Sequence, residues 1–335
     1  MTDRPDSREI AEGLKALLAR EMPEARGLRL TGLAPISTAG NARDPWRFDV
    51  SWESRGGDHV LSCAMLVKAS AGQLETRLED EFAVLEAVKR IAGLAPRPLW
   101  LDAEGRWFGR PFFVSTLEPG DAAAPSLEGP PDGETRRAAL DLAGAAARLH
   151  ALDWASTPLA GRFGTPTNAA AAQIGYWSEV LDRHRIGPQP ALDYALAWLK
   201  ANTPDPAEAV LVHGDLRFGN FLQLGGRLTA LLDWEMAHLG DPHEDLAWAY
   251  RSSWTPAAHL GFDEFLAAYE AAGGRPVDRG RLVFWRMFNE FKHSVISLTG
   301  ARSFADRRTR NLRLANRAAT VPLFMSRFLE LEDPC

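Results

Sequence analysis

The chain has 335 residues, 46% of them hydrophobic and 24% charged, with a formal net charge of −6. That is enough apolar material for two lobes, and the acidic balance gives no global pull toward nucleic acid or an anionic membrane. Two cysteines, Cys63 and Cys335, exclude a disulfide framework, and the charged N-terminal segment and lack of a membrane-length apolar run make a soluble, cytoplasmic protein the expectation.

In chain order, Asp6 with Glu9 has the form of a helix start, and Ile10, Leu14, Leu17 and Leu18 follow at helical spacing. Residues 28–67 read as strands. Arg47 to Trp52 alternates, Arg55-Gly56-Gly57-Asp58 is turn chemistry, and His59 to Val67 is largely apolar. Residues 74–91 have a helical period, Pro96 and Pro98 break the chain, and Pro111-Phe112-Phe113-Val114 is another short strand. Between Leu117 and Thr135, Pro119-Gly120, Pro125, Gly129-Pro130-Pro131 and Gly133 mark a junction. Helical patterns then cover 136–152, 169–184, 190–202, 242–253, 261–272 and 279–299. The apolar runs 209–212 and 228–232 are expected to form one strand pair, a small hairpin with a Gly225-Gly226 turn between them. The expectation is an α+β protein of two lobes: a small mixed β-sheet lobe over 1–116 and a larger, mostly helical lobe over 117–335.

The helical lobe carries LVHGDLRFGNFL at 211–222 and LLDWEMAHLGDPHEDLAW at 231–248. Asp215 and Asp233 each follow an apolar run, and Asn220 lies between them in sequence. Hard cations such as Mg²⁺ take oxygen ligands, commonly one or two protein carboxylates together with substrate phosphates. Asn220 and Asp233 supply such oxygens, which leaves Asp215 to orient or deprotonate a hydroxyl beside a metal–phosphate site. His213, Asp215, Asp233, His238, Asp241 and His243 also include ligands for a metal-dependent hydrolase. That reading gives Asn220 and the first lobe no task.

The step from Asp215 to Asn220, with Asp233 in place of the Asp of the DFG motif, resembles the catalytic loop of protein kinases. With His213-Gly214-Asp215, the chain is similar to the aminoglycoside phosphotransferase and choline kinase relatives of that fold. It most resembles the branch related to the kinase-like domain attached to some acyl-CoA dehydrogenases, a likeness shared by Arg148 to Trp154 and Gln173 to Trp177. The resemblance runs from about residue 30 to about residue 320. It implies a two-lobed protein-kinase-like fold with ATP between the lobes and Mg²⁺ on Asn220 and Asp233. Arg217 stands where the kinase pattern has a lysine on the transferring phosphate, so it resembles a stabiliser of that charge. Trp234 and Glu235 replace the Phe-Gly of DFG. His213 is expected to hold the loop by hydrogen bonding, and Asp241 and Asp245 to brace it or cap the next helix, with Pro242 in its first turn.

A kinase-like site also needs a cation for the phosphates and a carboxylate to hold that cation. Of five lysines against 33 arginines, Lys68 ends the strand Met65-Leu66-Val67. On the following helix Glu81 falls in the stripe of Leu78, Phe82, Leu85 and Val88, where a carboxylate is costly unless paired. Lys68 is the expected partner. The phosphate-covering loop is expected in Ile36 to Trp46, where Gly40, Asn41 and small neighbours allow backbone N–H groups near phosphate. It has one glycine rather than the kinase G-x-G-x-x-G, which keeps open a nucleotide-binding, pseudokinase-like module without turnover. Val114 to Leu117 resembles the hinge that pairs with adenine.

Segment 275–327 holds twelve Lys or Arg against three Asp or Glu. A polycationic acceptor is disfavoured, and a carboxylate, phosphate or CoA-bearing hydroxyl compound is favoured if the arginines face the site. The expected partner is therefore a small-molecule hydroxyl acceptor, a hydroxy acid or hydroxyacyl compound by resemblance to the branch above. Trp177, Trp248, Trp254 and Trp285 are candidates for either an apolar acceptor wall or the helical core.

Overall fold

The computed structural model describes residues 6–36, 43–68, 76–122 and 130–332. The chain divides into two compact units, one of residues 1–89 and 95–118, the other of residues 90–94 and 119–335.

The first unit holds α1 (Ser7–Glu21), β1 (Arg26–Pro35), β2 (Arg43–Ser54), β3 (Gly57–Lys68), α2 (Leu78–Val88), β4 (Pro98–Asp102) and β5 (Phe112–Thr116). Asp6 caps α1 by accepting the Arg8 N–H. The sheet order is β1-β2-β3-β5-β4. Every pairing is antiparallel, so the sheet is not mixed in strand direction. Successive strand side chains point to opposite faces, so Trp46, Phe48 and Val50 of β2 and Cys63, Met65 and Val67 of β3 share one face. They bury against Ile10, Leu14, Leu17 and Leu18 of α1.

Two details differ from the pattern reading. Residues 98–102 form a strand although Pro98 opens it, because that proline stands at the first position of an edge strand, where a missing N–H is tolerated. α2 begins only at Leu78, since Arg77 is extended, and ends at Val88 before a left-handed turn at Gly93.

The second unit holds α3 (Gly133–His150), α4 (Ala169–His184), α5 (Pro190–Ala201), β6 (Val210–Val212), β7 (Phe221–Leu224), β8 (Arg227–Leu231), β9 (His238–Gly240), α6 (Pro242–Ala249), α7 (Phe262–Ala271), α8 (Arg279–Ala305), α9 (Leu312–Asn316) and α10 (Val321–Glu332). The single hairpin expected from residues 209–212 and 228–232 is corrected. β6 pairs with β9, and β8 pairs with β7. Gly225 and Gly226 both have positive φ and close a tight turn that brings β8 onto its nearest neighbour, leaving β6 for a later strand. α8 runs past Gly300 to Ala305, since a single glycine inside a helix costs only about 1 kcal/mol against alanine and does not by itself stop it. Residues 312–332 add α9 and α10. No helix among the described residues is long and apolar enough to cross a membrane.

Candidate active site

β6 ends at Val212, and the chain turns at once into His213-Gly214-Asp215. Gly214 has φ +78°, and a Cβ there would lie 2.3 Å from the Met236 carbonyl oxygen. Only glycine fits that position. Two successive backbone N–H groups, of His213 and Gly214, donate to the two carboxylate oxygens of Asp245 at 2.7 and 2.9 Å. Asp245 is buried and also meets His150 Nε2 at 3.2 Å. Burial works against its ionisation, but His150 and then His213 outweigh burial and hold its carboxyl below the ordinary value.

His213 accepts the Asp215 N–H at Nδ1 and faces the Leu232 carbonyl with Nε2, which assigns a neutral ring protonated at Nε2. Burial pushes its imidazole below the ordinary value, against Asp245 and Asp215. His213 thus ties the loop to the end of β8. The Leu232 N–H donates to the Asn220 carbonyl at 2.8 Å and makes a second tie.

These ties fix Asp215. Its Oδ1 accepts Arg217 Nε at 3.0 Å and Trp248 Nε1 at 2.5 Å, and its Oδ2 accepts Asn220 Nδ2 at 2.6 Å. Arg217 also lies over the Trp254 ring, 5.1 Å from its centroid. Asp233 follows Leu232 in the left-handed region at φ 63°, a conformation that costs a non-glycine residue about 1–3 kcal/mol and clusters at functional sites.

A second buried group supports the loop from behind. Lys292 of α8 donates to the Gly214 carbonyl at 2.7 Å and to Glu244 at 2.9 Å, and Glu244 meets His238 Nε2 at 3.1 Å. Burial opposes the Glu244 charge, yet Lys292 and then His238 keep its carboxyl below the ordinary value. Burial would lower His238, but Glu244 raises it. Asp241 caps α6 through the His243 N–H and pairs with Arg281.

The chain therefore joins Asp215, Arg217 and Asn220 by direct bonds and brings Asp233 in through the Leu232 backbone. In the other unit, Lys68 ends β3 exposed and Glu81 is buried in α2. Val114 is buried in β5, and just past its end the Leu117 N–H donates to the Ser62 carbonyl. Gly40 and Asn41 lie outside the described residues. Trp177 and Trp285 belong to the core, whereas Trp248 and Trp254 reach the Asp215 group.

The donor set suits a hard cation. Asn220 spends its Nδ2 on Asp215 and keeps Oδ1, and Asp233 adds a carboxylate; both are oxygen ligands. A transition-metal site is not supported. Among the described residues no three His, Cys, Asp or Glu side chains converge. The histidines of that reading are held by Leu232, Glu244 and Asp241 instead.

Sequence reasoning missed Trp248 as a partner of Asp215, and it missed the buried lysine. The signal for the second was present: Lys292 sits between Phe288, Phe291 and Val295, where a charge demands a partner.

Residues 50–285 match the family described as the phosphotransferase enzyme family. Acyl-CoA dehydrogenase family member 11 of Gallus gallus is 30% identical over 246 residues, covering 66% of this chain and 31% of that protein. Acyl-CoA dehydrogenase family member 10 of Mus musculus is 29% identical over 189 residues, 54% of this chain and 17% of that protein. The chain thus spans under a third of either relative. Among solved structures, a Ralstonia eutropha protein described as an aminoglycoside phosphotransferase is 20% identical with a TM-score of 0.71, covering 98% of both chains. A choline/ethanolamine kinase family protein of Mesorhizobium loti is 21% identical with a TM-score of 0.58, covering 97% of this chain and 98% of that one. These likenesses show a kinase-like fold.

Proposed function

We propose that this chain, which belongs to the phosphotransferase enzyme family, moves the γ-phosphate of ATP to a hydroxyl of an anionic small molecule. Membership makes it a small-molecule kinase in the coarse sense; the nucleotide, the metal and the acceptor are the inferred parts.

One observation carries the reading most. Asp215 is held by three donors in a fixed attitude, one of them the Asn220 amide, and the Leu232 N–H, one residue before Asp233, donates to the Asn220 carbonyl. Phosphoryl transfer asks a protein mainly for positioning and charge stabilisation. Asp215 orients the acceptor hydroxyl and takes its proton. Arg217 offsets charge on the moving phosphoryl group. Asn220 and Asp233 would hold Mg²⁺, which would supply positive charge against the phosphates. Lys68, held by Glu81, would contact the α and β phosphates, and the backbone from Val114 to Leu117 would receive the base.

The test is ADP formation across a library of hydroxyl compounds, run beside Asp215→Ala with nucleotide binding measured separately. Acceptor-dependent turnover that Asp215→Ala abolishes, with ATP still bound, is the expected result. Nucleotide binding without any acceptor-dependent turnover would instead make the chain a binding module.

A further inference from the structure

The donors around Asp215 close a circuit. Arg217 Nε and Trp248 Nε1 both donate to its Oδ1, at 3.0 and 2.5 Å. Arg217 lies over the Trp254 ring, and Trp254 Nε1 donates to the Trp248 carbonyl at 2.6 Å. The two indole rings have centroids 5.0 Å apart. Trp248 comes from the last turn of α6, Trp254 from the segment after it, and Asp215 and Arg217 from the loop after β6. Trp248 is 2% exposed, so its N–H has no bulk water to turn to, and the Asp215 carboxylate is the acceptor that offsets its burial.

Trp248 is tied to the loop a second time. Lys292 Nζ lies 4.6 Å from the centroid of its ring and donates to the Gly214 carbonyl at 2.7 Å. A cation over an indole face draws on the π density and makes the ring N–H a better donor. The result bears on which oxygen of Asp215 can work. The last torsion of an Asp side chain is broad, so only its donors fix which oxygen faces the site. An ionised carboxylate has about four acceptor positions, two on each oxygen. Trp248 and Arg217 take both on Oδ1, and Asn220 takes one on Oδ2. Among the described residues, the position left over lies on Oδ2. Without the Trp248 N–H, Oδ1 regains a position, and the carboxylate can present either oxygen.

We propose that Trp248 is a positioning residue for phosphate transfer: by holding Oδ1 together with Arg217, it leaves Oδ2 as the oxygen of Asp215 to which the acceptor hydroxyl hydrogen-bonds. Trp254 locks Trp248 through its carbonyl and steadies Arg217 with its ring. Trp248 acts through Asp215 and is not itself a catalytic residue. The inference rests on the kinase reading above and adds to it which oxygen of Asp215 works and what holds the other. An indole that only packed would depend on its ring shape and not on its N–H.

The experiment removes the N–H and keeps the shape. In one variant the Trp248 indole is replaced by benzothiophene, with sulfur in place of the N–H; Trp248→Phe is the simpler companion. The nitrogen-labelled full chain is first followed by NMR without ligand. The Trp248 indole resonance, identified by its loss in Trp248→Phe, is expected downfield of the other indoles and is expected to move upfield in Asp215→Ala. The Asn220 side-chain amide, which donates to the other oxygen, is expected to shift in the benzothiophene variant while its circular dichroism matches wild type. ADP formation is then measured with water, the acceptor in every assay, and with the hydroxyl compounds of the library above. In both Trp248 variants kcat is expected to fall about tenfold or more, with KM for ATP unchanged, as loss of a charge-assisted hydrogen bond away from the nucleotide does. An indole resonance that ignores Asp215→Ala, or a benzothiophene variant with wild-type kcat, overturns the inference. A wild type that forms no ADP, while the Trp248 resonance answers to Asp215→Ala and the Asn220 amide to loss of the N–H, supports the clamp on Asp215 and fells the kinase reading alone.

Discussion

The side chain of Asn220 grips Asp215 at two atoms: its Nδ2 donates to the carboxylate Oδ2 at 2.6 Å and to the main-chain carbonyl at 3.0 Å. The spacing between the two residues is therefore the length of loop that closes this clasp. It orients Asp215 and turns the amide oxygen of Asn220 away from it. Removing each residue should separate the two jobs. Asp215→Ala is expected to lower kcat about 10²–10⁴-fold, the usual worth of a positioned base, with little change in ATP binding. Asn220→Ala is expected to raise the Mg²⁺ concentration for half-maximal activity about 10–100-fold. Steady-state kinetics over a Mg²⁺ series checks both, and equal Mg²⁺ dependence in wild type and Asn220→Ala would sink the assignment.

Asp245 does for the loop backbone what no water can do, since it is buried and accepts two consecutive N–H groups. Asp245→Ala leaves both donors and His150 without an acceptor, a loss of about 3–5 kcal/mol of stability. Asp245→Asn keeps the shape and one acceptor and is expected to cost about 1–3 kcal/mol. Urea unfolding followed by circular dichroism measures the difference. Equal midpoints for the two variants would mean that the carboxylate is not what holds the loop.

Lys292 and Glu244 form a pair in which each partner is needed because the other is buried. Lys292→Met strands the Glu244 charge with only His238 beside it, and about 3–5 kcal/mol is expected to be lost. Adding Glu244→Gln removes the stranded charge, so the double variant should be more stable than Lys292→Met alone. Additive losses in a double-mutant cycle would show that the two do not interact.

Much of this was legible in the chain because it was written in local terms. The alternation of Trp46, Phe48 and Val50 and the spacing of Ile10, Leu14 and Leu17 each follow from one element's own period. The residues of the catalytic loop were legible for a related reason, since Asp215, Arg217 and Asn220 lie on one short turn. Strand partners were not, because β6 meets β9 across 25 or more residues and nothing in either run names its mate. Trp248 was missed likewise: it comes to Asp215 only after α6 packs behind the loop, and on the sequence it is one more apolar residue in a buried helix. Gly214 shows the limit from the other side. It is an ordinary glycine in sequence and an obligatory one in space.

Gly214→Ala should accordingly be far more costly than a helix glycine such as Gly144, where an added Cβ meets nothing within 4 Å. At Gly214 the new methyl must displace the Met236 carbonyl while the backbone stays left-handed. The expected outcome is a melting temperature lowered by several degrees and a loss of activity at temperatures where the variant is still folded. Gly144→Ala, by contrast, should leave both nearly unchanged or raise stability by about 0.5–1 kcal/mol. Thermal melting with parallel activity assays checks the pair, and similar behaviour of the two variants would contradict the geometry.

The buried imidazoles set how stability varies with pH. His213 and His293 lie below the ordinary value near 6.5, burial being the largest cause in each, and in His293 four neighbouring cations add to it. In the fold they stay neutral while the unfolded chain takes up a proton, so their contribution is full above that value and shrinks as pH falls below it. His238 runs the other way. Glu244 raises it against burial, so its contribution is full below its unfolded value and is lost as pH rises through its folded one. The lowered carboxyls of Asp245 and Glu244 begin to matter only near and below ordinary carboxylate values. Between about pH 7 and about pH 5 the two lowered imidazoles outnumber the raised one, and stability is expected to decline with acidity. His293→Phe isolates one of them: it keeps a ring to stack on Phe324 and removes a buried Nδ1 that has no partner. Urea midpoints at the two pH values should differ less in this variant than in the wild type, by up to about 1 kcal/mol per pH unit. An identical pH slope would mean that His293 is protonated in the fold, and the cationic surroundings assigned to it would have to be redrawn.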